Sequence, residues 1–86
     1  EDVYSSLIMQ QLENTKEVVS KNRQFITEET SMSQTVQINC SKKQFELWKE
    51  KYNQLITELD QIESESNDHT FYINTTAIEI KNNVFE

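Results

Sequence analysis

The chain of 86 residues carries fifteen acids against eight bases, a net charge of −7, and contains neither glycine nor proline. A surface of that sign repels nucleic-acid phosphates and anionic lipid headgroups, which argues against nucleic acid as a partner and against direct membrane contact by this stretch. An all-β fold or a phosphate-cradling loop needs glycine at its turns, so the composition points to long helices with short polar joints.

The first predicted element is an amphipathic helix over about 3–30. Glu1 and Asp2 place negative charge where the first turn favours it. Tyr4, Leu7, Ile8, Leu12, Val18, Val19, Phe25 and Ile26 form a wide apolar stripe, and Gln10, Glu13, Lys16, Glu17, Ser20, Lys21 and Gln24 occupy the other face. Glu13–Lys16 and Glu17–Lys21 add helix-favourable pairs. Thr15 and Asn22 interrupt the stripe, which suits a bundle surface better than a strict zipper.

Residues 31–41 are rich in Ser, Thr, Gln and Asn and are predicted to reverse the chain, with Met32, Val36 and Ile38 capping the end of a bundle. The seam positions Leu12, Val19 and Ile26 fall out of phase with those of the next apolar stretch, so one unbroken coiled coil does not run through. The lone Cys40 has no internal disulfide partner and suits a reducing compartment. Ser41, with Gln44 three residues on, is the predicted N-cap pair of the next helix.

That second helix, over about 42–65, carries the strongest pattern in the chain. Phe45, Trp48, Tyr52, Leu55, Leu59 and Ile62 recur at alternating steps of three and four, while most positions between them are polar or charged. A lone helix cannot bury such a seam, so the seam is expected to lie against other helices as core. Trp48 and Tyr52 are read as core aromatics rather than as a ligand box. Glu58, Asp60, Glu63, Glu65 and Asp68 crowd the C-terminal end, where each opposes the helix macrodipole by about 0.3–1 kcal/mol, and are read as a solvated face. Ser66, Asn67 and Asp68 are turn formers.

Two readings compete over the last stretch. Thr70–Ile73 and Ile78–Ile80 have strand propensity and a hairpin can be drawn. Asn74 as N-cap, with a staple between Ile73 and Ile78, favours a third helix over about 75–86, its face formed by Ala77, Ile78, Lys81, Val84 and Phe85. Phe71 would then plug the end of the first two helices. The expected fold is all-α, an antiparallel up-down-up bundle of three helices in one domain spanning 1–86.

No chemistry accompanies this pattern. Cys40 and His69 are the only Cys and His, which leaves no zinc site of the usual kind, and no nucleophile–base–orienter set exists. The chain is therefore read as a non-enzyme with no catalytic, metal or cofactor-binding residues and no cofactor. The sequons at Asn39 and Asn74 are read as chance in an Asn- and Thr-rich chain. No window approaches the length of an apolar membrane span, and no signal peptide is visible. Because the chain opens on Glu1 rather than Met, it is expected to be a piece of a longer protein.

Several short runs resemble the N-terminal domains of syntaxin-type SNAREs. Ile56-Thr57-Glu58-Leu59-Asp60-Gln61 is similar to the acidic L-E-D-L-D-E end of the second helix in the syntaxin-six group. Phe71-x-Ile73-Asn74-Thr75-Thr76-x-Ile78-x-Ile80-Lys81 resembles that group's F-x-L-D-A-T-x-L-x-I-R approach to its third helix, and Glu1-Asp2-Val3-Tyr4 its E-D-P-F start. Val3 stands where the pattern has proline, and Ala77 where it has an acid. The resemblance implies a cytosolic regulatory domain at the trans-Golgi network or endosomes, with tethering complexes and other SNAREs as protein partners and a C-terminal membrane anchor elsewhere in the protein. The competing reading is a coiled-coil scaffold or tether subunit that oligomerises through the 45–62 seam.

Overall fold

The computed structural model describes residues 2–82. Among them are two α-helices, α1 (Val3–Lys21) and α2 (Lys42–Asp60), and a short 3-10 turn at Arg23–Phe25. Among the described residues there are two helices and not the three of the bundle expected from the sequence, and each of its three segments needs correction.

The first helix begins where the sequence places it. Asp2 is the N-cap, its carboxylate accepting from the Ser5 backbone N–H at 2.8 Å and the Ser5 hydroxyl at 3.0 Å. It ends at Lys21 rather than near Thr30. Asn22 closes it twice over: its side-chain amide donates to the Val18 carbonyl at 2.7 Å and its backbone N–H to Val19. A continued helix would have to carry Glu28 and Glu29 toward its negative end, whereas the observed one finishes on Lys21, paired with Glu17 at 3.3 Å. That pair is exposed at the helix surface and contributes little.

The second helix starts with the expected pair. Gln44 N–H donates to Ser41 Oγ at 3.1 Å and Ser41 N–H to Gln44 Oε1 at 2.9 Å, a complete capping box. It stops at Asp60, with Gln61 as C-cap, short of the turn residues at 66–68. Its last turn carries no basic residue, and the acids at 58, 60, 63 and 65 make each added turn less favourable against the macrodipole.

Residues 70–80 are neither helix nor strand. Thr70, Ile73, Thr75, Thr76, Ile78 and Ile80 are β-branched, which lowers helix propensity, and a helix this short is marginal without tertiary cover. Val84 and Phe85 of the expected third helix lie outside the described residues. The Ser31–Ser41 stretch is irregular, and Met32, Val36 and Ile38 are exposed rather than capping a core.

The described chain falls into two compact units, residues 2–32 with 71–82 and residues 33–70. In neither unit is any described side chain fully buried. The expected core is absent, and Phe71 is exposed rather than a plug.

Candidate functional site

Within the unit that holds α2, the helix displays its seam. Phe45 and Trp48 approach at 5.7 Å between ring centroids with a 34° tilt, and Trp48 stacks on Tyr52 at 5.6 Å and 24°. Steps of three and four bring these rings over one another on a single helix face. Such stacking is worth about 0.5–1.5 kcal/mol per pair and holds the rings as a ladder along the helix. The ladder continues C-terminally as Leu55 and Leu59. Ile62 lies just past α2, its N–H still bonded to the Leu59 carbonyl at 3.3 Å.

Trp48 keeps 47% of its surface in water and Leu55 58%; Tyr52 is half-buried. These residues were expected to be core. The structure brings them together on one face, as the spacing requires, but leaves that face open. Phe45, Trp48, Leu55 and Leu59 thus form an exposed apolar stripe along α2.

Within the other unit, the two polar interruptions of the α1 stripe acquire roles. Asn22 caps the helix. Thr15 is half-buried together with Ile8 and Val18, which share its face one or two turns away. The Thr15 hydroxyl lies 2.9 Å from the Gln11 carbonyl and 3.0 Å from the Tyr72 hydroxyl. Thr15 has one proton and gives it to Gln11, so Tyr72 donates to Thr15. This fastening was not read from the sequence; its signal was a polar residue where the stripe called for an apolar one.

Among the described residues, no group of three His, Cys, Asp or Glu side chains converges to hold a metal ion, and Cys40 is an exposed thiol. No described helix is long and apolar enough to cross a membrane. The carboxyl of Asp2 is held below its ordinary value by the hydrogen bonds from Ser5.

No protein-family model matches the chain, and comparison with curated proteins and with solved structures finds no match either.

Proposed function

We propose that this chain is an assembly segment, which joins protein chains by packing α2 against another helix through the Phe45–Ile62 seam. The observation that carries the reading is the open aromatic–aliphatic face of α2 in a chain with no buried side chain among its described residues. Most of the stability of a helix in a protein comes from packing its apolar face, and the apolar face of α2 lies largely in water. Covering that face removes Phe45, Trp48, Leu55 and Leu59 from water, at about 1.5–3 kcal/mol for each fully buried side chain. Such energy is available only between chains or chain segments, as in coiled-coil scaffolds and tethers.

The mass of the isolated chain in solution, measured by light scattering over a wide range of concentration, tests this. A mass that rises with concentration, together with rising helix signal, is expected. A monomer throughout, with helix signal independent of concentration, would defeat the reading.

A second reading is favoured by the run 71–81, whose resemblance to the syntaxin-six group falls on the segment that meets α1 through Tyr72. Under it, the chain is a cytosolic regulatory segment of a trans-Golgi or endosomal SNARE, recruiting tethers or modulating SNARE assembly. It requires no three-helix bundle, only that the α2 seam receive a helix of another chain.

A further inference from the structure

We propose that the helix which covers the α2 seam is α2 of a second copy of this chain, running antiparallel, with Lys51 of each copy beside Glu58 of the other. The inference rests on the assembly function proposed for the Phe45–Ile62 seam and adds its partner, direction and register.

Side-chain size favours this direction. The N-terminal half of the seam is wholly aromatic (Phe45, Trp48, Tyr52) and the C-terminal half wholly aliphatic (Leu55, Leu59, Ile62). Two copies in parallel and in register would set each aromatic ring opposite its own counterpart, stacking large against large in one half and leaving the other thin. Turned antiparallel about the point between Asn53 and Gln54, the same helices pair Tyr52 with the partner's Leu55, Trp48 with the partner's Leu59 and Phe45 with the partner's Ile62. Every layer then sets a ring against a smaller aliphatic side chain, the alternation that fills a helix–helix interface evenly. The rings of Phe45, Trp48 and Tyr52 already meet in turn along α2, Trp48 stacked on Tyr52 and tilted against Phe45.

Charge favours the same direction independently. Lys51 and Glu58 each precede a seam residue, Tyr52 and Leu59, and so lie on the same flank of the seam. In an antiparallel pair, that flank meets its own equivalent, and the register fixed by the seam puts Lys51 beside the partner's Glu58 twice, once for each copy. Lys42 and Glu63 meet in the same way on the other flank. In a parallel pair, Glu58 would instead face the partner's Glu63 in both copies, like against like. Within the chain, neither Lys51 nor Glu58 has an ion-pair partner among the described residues, so both are available across the interface. Beyond Asp60, the pairing would be completed by Ile62 and Glu63, whose stretch already carries the turn from Ile62 to Leu59.

The test is a charge swap read by solution mass and helix signal on the full 86-residue chain. Lys51→Glu and Glu58→Lys each replace one good helix former with another at an exposed site, which preserves α2 itself. Each alone is expected to weaken self-association by about tenfold or more, because both symmetric contacts become like-charged. Mixing the two variants is expected to restore association as a one-to-one heterodimer, and the double variant is expected to self-associate as the unmodified chain does. If the unmodified chain associates but Lys51→Glu leaves it unchanged and Glu58→Lys tightens it, the antiparallel register is wrong while the assembly function stands. If the unmodified chain stays monomeric at every concentration, both are overturned.

Discussion

The hydroxyls of Thr15 and Tyr72 meet at 3.0 Å across 57 positions of sequence, with Tyr72 as donor. The contact ties an irregular segment to the half-buried face of α1 without any strand or helix to hold it. Tyr72→Phe keeps the ring and removes the donor, so a loss of no more than about 0.5–1.5 kcal/mol is expected. Its mark is local: faster amide hydrogen exchange over 71–80 with the helix signal of α1 unchanged. Thr15→Val removes the same contact together with the Thr15 bond to the Gln11 carbonyl, and adding Tyr72→Phe to it should cost nothing further.

The N-terminal cap of α1 makes a prediction in pH. Hydrogen bonds from Ser5 lower the pKa of Asp2 from its ordinary 3.8, so the cap stabilises the helix above that value. The contribution is fully present at neutral pH and is lost as pH falls through the lowered value. Helicity at residues 3–6, tracked by carbon chemical shifts, should therefore hold to below the ordinary aspartate range and then fall. In Asp2→Asn, which caps without a charge, that acid step should vanish.

The capping box of α2 should govern assembly as well as helix content. Ser41→Ala removes the acceptor for Gln44 N–H and should cost the helix about 0.5–2 kcal/mol. Only a formed α2 presents the seam, so the dissociation constant of the assembled form should rise with the loss of helicity. Gln44→Ala removes the reciprocal half of the box and should have a smaller effect in the same direction.

The starts of both helices and the seam itself were legible in the sequence, because each rests on local chemistry. Asp2, the Ser41–Gln44 pair and the alternating steps from Phe45 to Leu59 need no tertiary context. The ends were not. Turn residues at 66–68 set an outer limit for α2, but acids massed against the macrodipole end it earlier, and Asn22 stops α1 with a side-chain bond that periodicity cannot register. The third helix failed for a related reason: an N-cap and a staple define how a helix would begin, while the β-branched residues between Thr70 and Ile80 make its propagation unfavourable. Burial was the largest misreading. Periodicity says which residues share a face and is silent on whether the same chain supplies the cover.

Trp48 is the only tryptophan in the chain and belongs to the open seam, so its fluorescence reports directly on whether a partner covers α2. Emission should be measured over a dilution series of the unmodified chain at fixed pH and salt. A blue shift and rising intensity are expected as concentration increases, because the partner's side chains take Trp48 out of water. Leu59→Ala, which removes the facing side chain, should move the transition to higher concentration. An emission maximum that stays where it is across the series, at the position of a water-exposed indole or of a buried one, would contradict assembly through the seam.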